Sequence, residues 1–292
     1  LKKKVKFIIN PVSGVGRQCA LEKIIPEFLN HNLYEYQISY TERAGHSTEL
    51  SKEAAESGEC DLVVAVGGDG SINEVARGLA GTEIPLGIIP TGSGNGLAHF
   101  LDIPFNFNRA LQIINKGKVK KIDTATMNGK LFISIAGVGF DALVAREFSK
   151  FKRRGFWPYF NIVVREYPRY QPKEYILELN GKTIKKEALF ISFANSDQFG
   201  FNAAISPNAS INDGLIDVCI FKKPSVLEAP ILAQFLFFRA IDETRYLEII
   251  KASEIKIIQP QNRYVHLDGD PVRLSKELIV KVNPLSLKVI VP

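Results

Sequence analysis

Residues 61–66, Asp-Leu-Val-Val-Ala-Val, run apolar and β-branched straight into Gly67-Gly68-Asp69-Gly70, and helical spacing resumes at Ser71. A strand that ends in glycines and opens a helix restricts the chain to few folds. Unbroken apolarity calls for a strand covered on both faces, as in a parallel sheet flanked by helices. Glycines at its carboxyl end let backbone approach a ligand closely, at the place where open α/β sheets hold their ligands. The pattern recurs twice. Residues 5–10 form a buried-strand pattern stopped by Pro11 and followed by Ser13-Gly14-Val15-Gly16-Arg17. Residues 86–89 lead into Pro90-Thr91-Gly92-Ser93-Gly94-Asn95-Gly96.

Helical spacing over 19–30 and within 41–58, with strands at 36–40, 61–66 and 86–89, makes the first third an α/β domain with a parallel sheet. Helices are also expected over 71–79 and from 95. Near Ile122 the pattern changes to strands, at 123–127, 130–136, 175–179, 189–194, 215–221, 254–258, 264–267, 277–282 and 287–291. Asn180-Gly181 marks a tight hairpin. Two helical interruptions fall at about 141–170 and 225–250. The expected division is 1–122, nucleotide-binding and α/β, and 123–292, a mainly antiparallel β-sandwich whose last few residues return to the first domain.

With 46% hydrophobic and 23% charged residues among 292, the chain is globular in composition. A formal charge of +6 suits nucleotides, nucleic acid or an anionic membrane. No zinc-finger spacing, arginine-rich tail or RNA-binding signature is present, which disfavours nucleic acid. Cys19, Cys60 and Cys219 form no Cys-x-x-Cys pair, as expected of inert thiols in a reducing cytoplasm. The opening Leu-Lys-Lys-Lys-Val-Lys reads as no leader, and no charge-free apolar run reaches the roughly 18 residues of a membrane span. The expectation is a cytoplasmic protein with peripheral membrane association.

Three glycine turns at strand ends can meet around one polyphosphate, aided by a helix N-terminus and by Arg17. Each turn alone also reads as a tight strand–helix connection. Asp268-Gly269-Asp270-Pro271 and Asn212-Asp213-Gly214 read by themselves as β-turns, and Asp141 as a helix N-cap. The segment Phe151-Lys152-Arg153-Arg154-Gly155-Phe156-Trp157-Pro158-Tyr159-Phe160 mixes cations with aromatics, as a membrane interface does. Residues 231–240 are apolar but too short to span a bilayer, and read as core. His46 reads as an active-site neighbour, and His31, His99 and His266 as structural.

Taken in order, Asn10-Pro11, Thr41-Glu42 with His46, Gly67-Gly68-Asp69-Gly70, Pro90-Thr91-Gly92-Ser93-Gly94-Asn95, Gly137-Val138-Gly139-Phe140-Asp141, Asn212-Asp213-Gly214-Leu215-Ile216-Asp217 and Leu267-Asp268-Gly269-Asp270 resemble the diacylglycerol kinase catalytic domain superfamily. That superfamily includes bacterial lipid kinases, sphingosine kinases and ceramide kinases. The wording at 92–98 looks more like sphingosine kinases. The resemblance implies ATP as donor, Mg²⁺, a lipid hydroxyl as acceptor at a membrane surface, and an active site in an interdomain cleft. It implies ATP contacts from Asn10, Arg17, Thr41, Gly67, Gly68, Asp69, Gly70, Ser71, Ile72, Asn73, Gly92, Ser93 and Asn95. Asp69 matches the hydroxyl-activating base, and Asp268 and Asp270 match an Asp-Gly-Glu pair, with Asp270 one methylene shorter than the family's Glu. Asp141 matches a substrate contact. Asp213 with the carbonyls of Ser210 and Leu215 matches a structural Mg²⁺ site.

The residues leave open which of Asp69, Asp268 and Asp270 is the base, and a homodimer is compatible with them. An NAD kinase-like small-molecule kinase and a non-catalytic nucleotide- or lipid-binding regulator are the competing readings. A dinucleotide-binding dehydrogenase is excluded by the lack of Gly-x-Gly-x-x-Gly after the first strand.

Overall fold

The computed structural model describes residues 2–13, 21–92, 94–151, 155–197, 199, 203–260 and 264–292. The chain forms two compact units, Leu1–Ile122 with Leu285–Pro292, and Asp123–Pro284.

The first unit alternates β1 (Lys3–Ile9), α1 (Leu21–Phe28), β2 (Tyr34–Tyr40), α2 (His46–Glu56), β3 (Leu62–Gly67), α3 (Asp69–Leu79), β4 (Leu86–Pro90), α4 (Gly96–Phe100) and α5 (Phe107–Lys116). The strands are parallel in the order β2-β1-β3-β4. β3 and β4 are buried throughout, as their unbroken apolar sequences require. Phe7, Ile9, Val64 and Val66 meet Ile25 of α1 and Leu111 and Ile114 of α5 in one core. Because β2 lies on one side of β1 and β3 on the other, the sheet has its topological switch point between β1 and β3. Ligands of such sheets sit beyond the carboxyl ends at that crevice. Here those ends are Asn10 and Gly67-Gly68.

The second unit contains two antiparallel sheets. β5 (Val119–Met127) leads into it, followed by β6 (Lys130–Phe132), β7 (Ile135–Gly139), α6 (Phe140–Ser149), α7 (Phe156–Glu166), β8 (Lys173–Leu179), β9 (Lys182–Ala188), β10 (Phe190–Ala194), β11 (Ile216–Phe221), α8 (Ala229–Phe237), β12 (Leu247–Ala252), β13 (Glu254–Ile258), β14 (Tyr264–Leu267), β15 (Asp270–Arg273) and β16 (Glu277–Ile290). One sheet has the order β12-β11-β10-β7-β14-β15; the other carries β16-β13-β8-β9. Val138, Ile191, Phe193 and Val218 from the first pack against Leu177, Ile255, Ile257 and Val280 from the second, so the unit is a β-sandwich. The opposite face of the six-stranded sheet is covered by α6, α7 and α8 through Val144, Ile162 and Leu232. The Asn180-Gly181 hairpin has φ of 52° and 73°, the left-handed pair that a two-residue turn demands.

Three expectations are corrected. The single strand over 130–136 is broken, because the Asp268 carboxylate accepts the N–H groups of Ile133, Ser134 and Ile135 (2.9, 2.8 and 3.1 Å), which would otherwise join a ladder. The helical reading of 225–250 holds only for α8, and β12 pairs instead with β11. Residues 231–240 are core on one face only: Leu232 is buried and Phe235 and Leu236 pack beside it, while Ile231, Phe237 and Phe238 face outward.

Asp268→Ala should leave three amides without their acceptor, at about 1–3 kcal/mol for each buried orphan. We expect a loss of about 3 kcal/mol or more of stability in urea unfolding, whereas Asp270→Ala, at an exposed position, should change it little.

Candidate active site

At the switch point, Asn10 follows β1, and its Nδ2 donates to Ser71 Oγ on the first turn of α3 (3.0 Å). The Ser13 and Thr91 hydroxyls meet at 3.0 Å, bringing the turns after β1 and β4 together. Thr91 N–H donates to the Gly67 carbonyl (2.8 Å), and Thr41 N–H, after β2, donates to the Ile9 carbonyl (2.9 Å). Asn10, Ser13, Thr41, Gly67, Gly68, Ser71, Thr91 and Gly92 therefore line the carboxyl edge of one sheet. Ile72 and Asn73 are buried on α3. His46 Nδ1 accepts the Glu42 N–H (3.1 Å) and closes its own loop. Arg17 and Ser93 lie outside the described residues.

Asp69 holds this edge together. Its two oxygens accept the backbone N–H groups of Asn95 and Gly96, each at 2.7 Å, so one carboxylate ties α3 to the start of α4. Burial pushes its carboxyl above the ordinary carboxylate range, against the pull of those N–H groups and of His99. A raised proton affinity suits a carboxylate that accepts a hydroxyl proton, and two amide bonds leave lone pairs for it.

The glycines divide by what demands them. A Cβ on Gly92 would lie 2.6 Å from Gly68 Cα, so the two turns touch backbone to backbone. A Cβ on Gly70, by contrast, would meet nothing within 4 Å. Gly70 faces open space beside the N-terminus of α3, where no side chain caps the helix. Asn95 is buried with φ 49°; its Nδ2 donates to the Gly92 carbonyl (2.6 Å), while its Oδ1 is buried without a partner. An open glycine, an uncapped helix start and clustered hydroxyls fit a polyphosphate nucleotide. An accompanying Mg²⁺ would take one or two protein carboxylates and otherwise phosphate and water.

The second unit has its own polar cluster. Ser192, Gly137 and His266 stand side by side on β10, β7 and β14. Asp141, in the first turn of α6, accepts from Ser192 Oγ (2.9 Å), lies 3.2 Å from His266 Nε2, and takes its own Ala142 N–H (2.6 Å). Gly137 makes this possible, since a Cβ there would collide with the Asp141 carboxylate. His266 Nδ1 accepts the Gly269 N–H (3.3 Å), which leaves Nε2 as the donor to Asp141 and links it to the 268–270 turn. Burial, with the Asp141 charge second, raises the Tyr159 phenol and takes Tyr170 to about 12, so both remain neutral donors. His266, expected to be structural, thus touches Asp141; the contact depends on strand pairing that no local motif announces.

Ser210, Asp213 and Leu215 fall on one turn. Asp213 Oδ1 accepts the Leu215 N–H (3.1 Å), and its Oδ2 is 3.0 Å from the Lys251 ammonium. Partial burial draws the Lys251 pKa down, but Asp213 and Asp217 outweigh it and leave it raised. Among the described residues no group of three or more His, Cys, Asp or Glu is placed to hold a metal ion.

Gly70→Ala should preserve the unfolding midpoint but weaken nucleotide binding by about tenfold or more in titration calorimetry, because the added methyl occupies the space a phosphate approaches. Gly92→Ala should instead destabilise the fold by about 1–3 kcal/mol through overpacking.

Residues 4–127 match the diacylglycerol kinase catalytic domain, and residues 134–291 match the YegS C-terminal NAD kinase beta sandwich-like domain. A diacylglycerol kinase of Bacillus subtilis (strain 168) is 32% identical over 276 residues, 92% of this chain and 90% of that protein. One from Staphylococcus aureus (strain bovine RF122 / ET3-1) is 30% identical over 284 residues, 92% of this chain and 87% of that protein. The solved structure of a diacylglycerol kinase from Bacillus anthracis str. Sterne shares the fold, with a TM-score of 0.74 at 23% identity over 99% of this chain and 97% of that one. The chain belongs to the diacylglycerol kinase family of kinases.

Proposed function

We propose that this kinase transfers the γ-phosphoryl group of ATP to a hydroxyl of a diacylglycerol-class lipid presented at a membrane surface. The observation that carries the donor half is the switch-point cradle, in which Gly70 is open while the neighbouring glycines are filled by the fold itself. The acceptor class follows from relatives named diacylglycerol kinase over about nine-tenths of both chains. The β-sandwich resemblance to NAD kinase makes a soluble nucleotide the second reading.

Phosphoryl transfer is chiefly positioning and charge neutralisation. In this reading the α3 N-terminus and the Asn10, Ser13, Ser71 and Thr91 side chains orient the phosphates. Mg²⁺, when bound with the nucleotide, neutralises charge on the β- and γ-phosphates. Asp69 receives the acceptor's proton, contributing on the order of 10²–10⁴-fold. In the second unit Asp268 fixes the turn that carries Asp270, and Asp141 with His266 offers a hydrogen-bonding cluster for a polar lipid headgroup.

A lipid acceptor also accounts for the outer surface of the second unit. Among the described residues no helix is long and apolar enough to cross a membrane. Yet Trp157 on α7 is 71% exposed, and Leu227 and Phe238, flanking α8, are 88% and 77% exposed. Tyr167 Oη donates to the Pro224 carbonyl (2.7 Å), tying the end of α7 to the segment that leads into α8. Lys185, Lys186, Lys222 and Lys223 line a groove together with Pro172 and Glu187, Lys186 being paired with Glu248. Apolar side chains next to clustered lysines suit an anionic bilayer surface. Lys152, Arg153 and Arg154, expected to contribute, lie outside the described residues.

The decisive assay supplies Mg-ATP labelled at the γ position with diacylglycerol or sphingosine vesicles, or with NAD. Label should enter diacylglycerol and be lost in Asp69→Ala; label in NAD, or in no acceptor, would overturn the reading. Trp157→Ala and Leu227→Glu should each lower partitioning onto phosphatidylglycerol vesicles roughly tenfold, as the loss of about one buried apolar side chain implies. Activity on a short-chain, water-soluble acceptor should persist.

A further inference from the structure

The turn at 210–215 matches a metal-binding loop in the wider family, yet the position beside its carboxylate is taken by an amine. Lys251 lies on β12 directly across the antiparallel ladder from Asp217 on β11. Its Nζ is 3.0 Å from Asp213 Oδ2 and 3.5 Å from Asp217 Oδ1. The Asp217 side chain is 5% exposed, and its other oxygen accepts from Ser206 Oγ (2.6 Å), so it is a buried carboxylate in need of a cation. The remaining Asp213 oxygen is engaged by the Leu215 N–H (3.1 Å). The turn is pinned from its far side, where Gly214 N–H donates to Asp123 Oδ2 (2.7 Å). The lysine backbone is fixed too, since Asn180 Nδ2 donates to its carbonyl (2.9 Å).

A hard divalent cation at this turn would need the Asp213 oxygen that the ammonium contacts, at the 2.0–2.6 Å typical of Mg²⁺ or Ca²⁺. It would also face the like charge of the lysine. The donor set here does not fit the metal. We propose that Lys251 is the built-in cation of this turn, replacing the divalent ion and tying the β11 lead-in to β12, so that the second unit needs no structural metal. The consequence for the protein is a separation of roles. Divalent ions are left to act with the nucleotide alone, and removing them stops turnover without loosening the sandwich.

The test uses the purified full chain without nucleotide. Thermal unfolding is followed in EDTA and in millimolar Mg²⁺, and Mn²⁺ binding is followed by electron paramagnetic resonance. The wild-type midpoint should be the same in both buffers, with no Mn²⁺ site that Asp213→Asn abolishes. Lys251→Met in EDTA should unfold about 2–4 °C lower and regain the difference in Mg²⁺, while Lys251→Arg should behave as wild type. A wild-type midpoint that falls on chelation, with an Asp213-dependent Mn²⁺ site, overturns the proposal. So does a Lys251→Met protein that metal does not rescue, which would leave Lys251 as an ordinary ion pair. Both readouts omit nucleotide and lipid, so they stand or fall separately from the kinase reading.

Discussion

Backbone N–H groups at strand and helix ends must find acceptors, and in this chain carboxylates supply them at the places that matter. Asp69 takes the amides of Asn95 and Gly96, Asp268 those of Ile133, Ser134 and Ile135, and Asp123 that of Gly214. An ionised acceptor makes shorter and stronger bonds than a neutral one, and its loss leaves buried donors bare. Remove these contacts and the glycine turns of the first unit and the β6–β7 break of the second lose their shape. Of these, Asp69 is also the candidate base, whereas Asp268 and Asp123 serve the backbone. A loss of activity on truncating Asp69 therefore does not by itself assign it a chemical role.

The two units solve the problem of placing polar groups differently. The first uses a parallel sheet's carboxyl edge, where strand ends already converge and the glycines allow turns to touch. The second buries its polar line inside antiparallel pairing, with Ser192, Gly137 and His266 on adjacent strands and Asp141 above the gap that Gly137 leaves. A hydroxyl and an imidazole around one buried carboxylate keep its lone pairs occupied, because buried polar groups left unpaired are costly.

Much of the first unit was legible because its signals are local. The apolar run from Leu62 to Val66, the glycines after it and the helical spacing from Ser71 lie within a few residues of one another. Even α5, unread beforehand, has its signals in place. Asn106 accepts from Arg109 N–H (3.1 Å) at its start, and Gly117, φ 64°, ends it. The second unit was legible in class but not in detail. Nothing in the local sequence of 130–136 reveals that Asp268, more than 130 residues away, captures its amides. Likewise α8 has the apolarity of a core helix, and only the sheet it rests on decides that one side goes uncovered. The contacts of His266 and Lys251 were illegible for the same reason, since their partners are set by strand register.

β16 begins in the second unit and ends in the first, where Val289 pairs with Leu86 and Ile290 joins the core of Phe7 and Val64. The first unit is therefore interrupted by residues 123–284. On a ribosome adding roughly 5–20 residues per second, its parallel sheet waits on the order of ten to thirty seconds for that last strand. During this interval the edge of β4 is open and apolar, an invitation to wrong pairing. The sandwich closes on the first half of the same strand, through Leu278 and Val280, so both units await β16. The last strand synthesised thus completes both units, and neither has its full sheet until the chain is nearly finished.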